Sequence, residues 1–143
     1  MTTLPTRQRG SILVEASFLM VFFLILFFGT IDMSRAINVL MDLHQAVYAG
    51  AIYGASGHST DNNGMTNVAK ADARYASVST FTANLYCACS TGGTLKSCTN
   101  PGCGGTVYQY VEVSGSTSFN TLFPYGVIPR TFNFNANCSL RIQ

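Results

Sequence analysis

The sequence predicts an α+β protein, in which a long amino-terminal helix crosses a membrane and leads into a small domain. We expect that domain to contain one short helix and an antiparallel sheet of three or four strands. Residues 12–31 are almost entirely apolar, and residues 36–55 keep apolar positions at helical spacing. The last third of the chain alternates between apolar and polar residues, which is the pattern of strands.

The apolar run of residues 12–31 contains one charged residue, Glu15. About 20 helical residues, at 1.5 Å each, span the hydrocarbon core of a bilayer. The run is longer than the apolar region of about 7 to 15 residues in a cleaved secretory signal. Arg7 and Arg9 precede it, and such cations stay on the cytoplasmic side. The remainder of the chain is therefore expected across the membrane.

Charged residues make up 10% of the 143 residues, with eight Lys and Arg against six Asp and Glu. A typical domain carries about 25%. A surface made largely of Ser, Thr, Asn and Gly suits exported proteins and protein assemblies. The cations form no cluster, which argues against nucleic-acid binding. The 112 residues after Ile31 are enough for one domain.

The helix is expected to run over residues 11–56, with its second half as an amphipathic spine for a domain of residues 57–143. Its predicted buried face consists of Ile37, Leu40, Met41, Val47, Tyr48, Ala51, Ile52 and Ala55. His44 lies on this stripe, and we predict a half-buried histidine because no second metal ligand has suitable spacing. Asp32 and Arg35, three residues apart, are predicted to pair on the surface.

Ala46, Gly50 and Gly54 form a ridge of small residues on the spine, and the last two close a GxxxG motif. Within a membrane this motif would indicate helix dimerisation. Here it lies beyond the apolar span. We therefore predict close packing of the spine on its own domain or on a neighbouring subunit.

Beyond the spine, residues 57–64 have the composition of a loop. Its one carboxylate, Asp61, is too little for a calcium site. Thr66 is predicted to cap a second helix over residues 67–80. Strands are predicted at residues 108–114 and 131–142, with a further strand at 85–90. A connection rich in Pro and Gly, residues 124–129, joins the two longer strands.

Four cysteines, Cys87, Cys89, Cys98 and Cys103, are candidates for zinc ligands or for two disulfides. Exported thiols oxidise, which favours disulfides. Two pairings stay open: Cys87 with Cys98 and Cys89 with Cys103, or Cys87 with Cys103 and Cys89 with Cys98. Cys138 is the fifth cysteine, either a buried thiol on the last strand or a bond to a partner subunit.

A basic segment ending in Gly10, followed by Ser11 and an apolar helix with Glu15, is the arrangement of type IV pilin-like proteins. Within that superfamily the chain resembles the TadE-like pseudopilins, minor pilins of the tight-adherence (Tad/Flp) pilus. The resemblance is carried by Arg9-Gly10-Ser11-Ile12-Leu13-Val14-Glu15, Gly29-Thr30-Ile31-Asp32-Met33-Ser34-Arg35-Ala36, Gln45-Ala46-Val47-Tyr48-Ala49-Gly50-Ala51, Cys87-Ala88-Cys89, Cys98, Cys103, Tyr110-Val111-Glu112-Val113 and Arg141-Ile142-Gln143. Ala16 departs from it, since the family usually has an aromatic residue there.

The resemblance implies that residues 1–10 are a leader, which a prepilin peptidase removes between Gly10 and Ser11. Glu15 would then be the fifth residue and would pair with the ammonium of Ser11, in its own or a neighbouring subunit, to set the register of assembly. A carboxylate in the first helical turn is also favoured by the helix dipole, which would explain Glu15 without such a role.

The function implied is that of a structural minor pilin in the assembly or at the tip of a Tad-type adhesion pilus. Its partners would be the prepilin peptidase, other pilins, the Tad inner-membrane assembly platform and the lipid bilayer. The expected location is the bacterial inner membrane, with the amino terminus cytoplasmic and the domain periplasmic, and from there the extracellular pilus.

The alternative function is a membrane-anchored periplasmic binding module whose leader is not cleaved. We expect no enzyme, because the sequence has no nucleophile motif and no paired carboxylates: Glu112 is isolated among the predicted strands. His44 and His58 have no catalytic partner at suitable spacing. No cofactor, metal or nucleic acid is expected.

Overall fold

The computed structural model describes residues 7–75, 80–91, 93–99, 102–126 and 129–142, with only the backbone described for residues 7–11. The elements are α1 (Arg7–Ala55), α2 (Asn62–Asp72), β1 (Thr80–Ala88), β2 (Lys96–Ser97), β3 (Tyr108–Asn120) and β4 (Thr131–Arg141). The strands form one antiparallel sheet in the order β2-β1-β3-β4. The predicted α+β fold class is confirmed.

The chain divides into two compact units, and the first ends at Arg35. Its described part is the first section of α1, which begins at Arg7 rather than at the predicted Ser11. By length and composition α1 is the one helix of the described chain able to cross a membrane, and its most apolar stretch is not buried. The hydroxyls of Ser17 and Thr30 each donate to the carbonyl four residues earlier, at 2.8 Å. These bonds satisfy both hydroxyls without water.

The second unit, residues 36–143, has its core between one face of the sheet and the two helices. The buried residues of this core are Leu43, Ala46, Val47, Ala51, Met65, Ala69, Ala73, Phe81, Ala83, Val111, Val113 and Ala136. Strand β3 lies at its centre, where Val111 and Val113 are fully buried. The missing side chain of Gly115 leaves room for Phe81 and Leu43.

The buried face of α1 differs from the predicted stripe. Leu43 and Val47 are at most 1% exposed, whereas Met41, Tyr48 and Ile52 are 58%, 53% and 45% exposed. His44 is exposed as well, so its predicted half-burial is wrong. Successive residues of an α-helix are 100° apart around its axis. The predicted residues therefore occupy a wider arc of the helix than one face of the sheet can cover.

Helix α2 was predicted too late in the sequence. It covers Asn62–Asp72, and Asp61 rather than Thr66 is its N-cap. Thr66 lies inside the helix, where its hydroxyl donates to the carbonyl of Asn63. The chain becomes extended at Ala73, and residues 73–75 are not helical. The predicted continuation of the helix toward residue 80 is therefore wrong at these residues. Residues 76–79 of the predicted helix lie outside the described residues.

The carboxylate of Asp42 on α1 accounts for the early end of α2. It accepts hydrogen bonds from the backbone N–H of Arg74, at 3.2 Å, and of Tyr75, at 2.7 Å. Both donors would bond within α2 if the helix continued, so the tertiary contact replaces the local one. A sequence pattern carries no signal for a bond that spans 32 residues.

The predicted strands at residues 108–114 and 131–142 are confirmed as β3 and β4, and β3 extends further to Asn120. The predicted strand at 85–90 begins earlier, at Thr80, and ends at Ala88. The two-residue strand β2 was not predicted. Strands β3 and β4 pair residue for residue from Tyr110 with Arg141 to Asn120 with Thr131.

Candidate functional site

The predicted cleavage point lies in the backbone of α1, which contains both Gly10 and Ser11. Glu15 is exposed and is the ninth residue of this helix. No acidic residue occupies the first turn, and the helix dipole acts only within that turn. In the chain with residues 7–10 present, the dipole therefore does not account for Glu15.

Glu15 is surrounded in sequence by exposed apolar side chains. Leu13, Val14 and Phe18 are among the neighbours with more than half of their surface exposed. A carboxylate amid such a surface costs about 2.5 to 3.5 kcal/mol in the middle of a membrane, and less near its edge. The position therefore favours a cationic partner for Glu15.

The predicted pair of Asp32 and Arg35 is present, with 3.2 Å between Oδ1 and Nη1. The pair lies only partly at the surface, because Asp32 is 4% exposed whereas the side chain of Arg35 is 45% exposed. Burial of one carboxylate makes the charge of Arg35 more important than in an exposed pair, since an uncompensated buried charge is costly.

Two disulfides hold the cysteine-rich segment, Cys87 to Cys98 and Cys89 to Cys103. This is the first of the two pairings that the sequence left open, and it uses all four thiols that were considered as zinc ligands. The closed loops interleave, with sequence separations of 11 and 14. Loops of this length correspond to about 3 kcal/mol each in the chain-entropy description.

The fifth cysteine, Cys138, has a free thiol on β4. It is half-buried and packs against the core together with Phe134 and Leu140. Burial raises the pKa of the Cys138 thiol above its ordinary value of 9.0. Of the two predicted alternatives, the structure shows a thiol on the closing strand, but it is half-buried rather than buried.

The ridge of small residues packs within its own domain, which is one of the two alternatives predicted from the sequence. A Cβ atom on Gly50 would lie 2.8 Å from the carbonyl oxygen of Met65. At Gly54 it would overlap the sulfur of Met65 and lie 2.7 Å from Cγ1 of Val111. The GxxxG motif is thus the place where α1 meets α2 and β3.

A polar cluster around Asp61 was missed from the sequence. Its Oδ1 accepts from the N–H of Gly64 at 2.8 Å, and its Oδ2 accepts from the hydroxyl of Tyr53 at 3.3 Å. Burial, followed by the charge and hydrogen bond of Asp61, raises the pKa of Tyr53 above 10.0. His58 stacks on the Tyr53 ring at 4.4 Å. The available signal was the strong N-cap preference of Asp.

The outward face of the sheet is a shallow polar surface. Its central depression is lined by Thr80, Thr82, Glu112, Ser114, Gly115, Ser116, Asn135, Ala136 and Asn137. The hydroxyl of Ser114 lies 3.4 Å from Oε1 of Glu112. Within the described residues, no group of three or more His, Cys, Asp or Glu side chains is close enough to hold a metal ion.

These features define a class of protein: an α+β domain with two disulfides, joined to a single helix that is apolar and long enough to cross a membrane. Residues 10–51 match the family model described as TadE-like protein. The predicted resemblance to the TadE-like family is confirmed for this segment. That family is a structural component of the pilus, and the match suggests a Tad pilus-associated protein. No curated protein and no solved structure matches the chain.

Proposed function

We propose that this protein is a minor pilin of a Tad-type pilus, processed by a prepilin peptidase between Gly10 and Ser11. The observation that carries the proposal is the family match over residues 10–51, which begins at Gly10 and contains Glu15. The mature protein then begins at Ser11, and its domain takes part in the assembly or forms part of the tip of the adhesion pilus.

The charges beside the apolar run support this proposal, because they favour membrane insertion with the amino terminus in the cytoplasm. Arg7 and Arg9 precede the apolar run, whose side chains between Ile12 and Phe27 are largely exposed to the surroundings. The disulfides agree with a domain on the oxidising side of the membrane. The same apolar surface is available first to lipid and then to the helices of other pilins and of the assembly platform.

Cleavage also supplies the partner that Glu15 needs. It creates an ammonium group at Ser11, four residues before the carboxylate. Pairing between that ammonium and Glu15, within one subunit or between two neighbours, removes the penalty of an isolated charge in an apolar medium. Since the pairing is directional, it sets the axial position of one helix relative to the next.

The test is the intact mass of the membrane-extracted protein, produced with and without a co-expressed prepilin peptidase. We expect the mass of residues 1–10 to be lost when the peptidase is present. Gly10→Ala abolishes this loss, because the peptidase must accommodate the residue before the scissile bond. Gly29→Ala is the matched control: it lies in the same helix with no neighbouring atom within 4 Å of the added carbon, and it leaves cleavage unchanged.

An unprocessed chain under both conditions contradicts the proposal. The protein is then a membrane-anchored module of the periplasm that keeps its amino-terminal segment. A processed chain directs the next experiment to Glu15, where Glu15→Gln is expected to leave cleavage intact and to reduce incorporation into the pilus.

A further inference from the structure

The exposed apolar side chains of the second unit, residues 36–143, are concentrated toward one of its ends. Outside α1, the described residues include four large apolar side chains with more than a third of their surface exposed: Tyr75 (72%), Leu122 (54%), Phe123 (37%) and Val107 (37%). Single exposed apolar residues are ordinary on a protein surface. Three of these four share a location, and that common location calls for a partner.

Strand β3 runs antiparallel to the part of α1 that packs on it. Three pairs of facing positions show this direction: Gly54 with Val111, Gly50 with Val113, and Leu43 with Gly115. Between the first two pairs, four helical residues and two strand residues both advance by about 6 to 7 Å. Strand β3 therefore ends, at Asn120, toward the end of the domain where α1 enters it, at Ala36. The connection that follows, residues 121–130, lies at that same end.

The segment between α2 and β1 lies toward this end as well. The N–H of Tyr75 donates to the carboxylate of Asp42, at 2.7 Å, and Asp42 belongs to the part of α1 near Ala36. Strand β1 begins at Thr80, which pairs with Ser116 near the end of β3. The backbone of Tyr75 is thus held on the same side of the domain as the β3–β4 connection.

We call Tyr75, Leu122 and Phe123 the apolar end of the domain. The β3–β4 connection that supplies two of them contains no acidic residue, and its one charged residue, Arg130, is exposed. Exposed aromatic and aliphatic side chains next to a cation are the composition of protein surfaces that lie at the interface of a bilayer. An anionic partner surface would also be favoured by this charge.

The opposite end of the domain is polar. It carries the α1–α2 connection, where residues 56–61 include no apolar side chain. Strand β1 ends there and β3 begins, since Ala88 pairs with Tyr108. The disulfide from Cys89 to Cys103 joins the two segments at this end. Its one large exposed apolar side chain among the described residues is Val107. The two ends of the domain thus differ in the surface that they offer.

The covalent chain determines which partner lies within reach of the apolar end. The apolar run that we propose to cross the membrane ends at Ile31, five residues before Ala36. Five residues span at most about 18 Å, even when fully extended. The end of the domain that exposes apolar side chains is therefore the end tied to the bilayer, and the tether keeps lipid at high effective concentration there. The tether limits this distance but leaves the orientation of the domain open.

We propose that the apolar end binds the phospholipid surface of the bilayer in which α1 is anchored, and that this contact sets the orientation of the domain. Leu122 and Phe123 enter the boundary between headgroups and acyl chains, and the ring of Tyr75 lies among the headgroups. Arg130 pairs with lipid phosphate. The inference rests on the proposed membrane insertion of α1, but not on cleavage after Gly10.

The test uses tryptophan fluorescence, because the chain contains no tryptophan and a single one reports on its own position. Phe123→Trp places it at the apolar end. Val107→Trp is the matched control, on a side chain of the same 37% exposure at the opposite end. Phe23→Trp, in the apolar run, reports whether α1 is inserted. Each full-length protein also carries Gly10→Ala, so that the leader is retained.

The proteins are reconstituted at low density in vesicles of phosphatidylcholine and phosphatidylglycerol, so that copies of the chain seldom meet. A second set of vesicles contains phospholipids brominated near the headgroup end of their acyl chains. Bromine quenches tryptophan at short range, and the measured quantity is the ratio of emission intensities in the two sets of vesicles.

Interfacial side chains lie about 5 to 10 Å into the boundary between headgroups and acyl chains, so Phe123→Trp should lose about half or more of its emission. Val107→Trp should keep its intensity, and Phe23→Trp should be quenched. Added to Phe123→Trp, Leu122→Asp should abolish the quenching. Gly104→Asp adds the same charge at the opposite end and should leave the quenching unchanged.

Quenching of Phe23→Trp without quenching of Phe123→Trp overturns this inference and leaves the proposed membrane insertion intact. Absence of quenching in both overturns the insertion and the inference together. Equal quenching of Phe123→Trp and Val107→Trp also contradicts it, because lipid then favours neither end. A blue shift of Phe123→Trp that bromine does not quench would show that a protein surface covers the apolar end, and would overturn the assignment to lipid.

Discussion

Gly50 in α1 lies directly against the main chain of Met65 in α2. A Cβ atom at Gly50 would be 2.8 Å from the Met65 carbonyl oxygen and 3.2 Å from Cβ of Ala69. The obstacle at 2.8 Å is backbone, so it cannot move aside as the end of a flexible side chain would. The distance between the two helices therefore depends on the absence of one methyl group.

Gly50→Ala is expected to destabilise the domain by about 1 to 3 kcal/mol, the usual range for overpacking a core. The measurement is urea unfolding of the full-length protein in detergent, followed by near-ultraviolet circular dichroism of the tyrosines. Gly104→Ala is the control, because no atom lies within 4 Å of the carbon it adds. Equal stability of the two variants would contradict the packing described here.

Leu43→Ala should lower the free energy of unfolding by about 2 to 5 kcal/mol, since it empties a fully buried site in the core. Met41→Ala, two residues away on the same helix, removes a side chain that is 58% exposed and should change stability by about 0.5 kcal/mol or less. Urea midpoints of the two variants report which face of α1 is buried. Similar losses of stability from both substitutions would instead support the wider buried face predicted from the apolar spacing.

Asp61→Ala removes the N-cap of α2 and is expected to cost about 0.5 to 2 kcal/mol, because the N–H of Gly64 loses its acceptor. Asp61→Asn retains a side-chain oxygen and should keep most of that stability. Thermal unfolding by circular dichroism compares the two. In Asp61→Asn the raised pKa of Tyr53 should also fall toward 10.0, because the charge of Asp61 is one of the causes that raise it.

Cys138 should react slowly with iodoacetamide at neutral pH in the folded protein. Burial raises its pKa above 9.0, so less of the reactive thiolate is present than in the unfolded chain. Intact mass after alkylation should show one label without reductant and five after reduction and unfolding. A neutral-pH rate equal to that in urea would be inconsistent with the half-buried position.

The raised pKa of Cys138 also makes the stability of the protein depend on pH at alkaline values. A thiol with a higher pKa in the folded state binds its proton more tightly there, so its contribution is complete below pH 9.0 and is lost as the pH rises through the folded value. Cys138→Ala should remove this part of the alkaline loss of stability, as measured by urea midpoints across that range.

The local elements follow from patterns of neighbouring residues. The length of the apolar run at residues 12–31 and its one charge are visible directly in the sequence. The alternation of apolar and polar residues at 108–114 and 131–142 likewise identifies two strands. The arrangement of Gly10, Ser11 and Glu15 likewise lies within a few residues. Each signal is contained in a short window, which is why composition and periodicity were sufficient for the fold class. The family resemblance rests instead on short motifs, among them Gly10, Ser11 and Glu15.

Other features depend on partners that are distant in the chain. Asp42 ends α2 by accepting hydrogen bonds from the backbone of Arg74 and Tyr75. The spacing of the four cysteines allows more than one disulfide pairing, and the sheet selects one of them because it places Cys87 beside Cys98. The exposure of Met41 follows from how much of its surface the neighbouring elements cover. Spacing along a helix or strand shows which side chains share a face, but burial requires a second surface, and the three-dimensional packing supplies it.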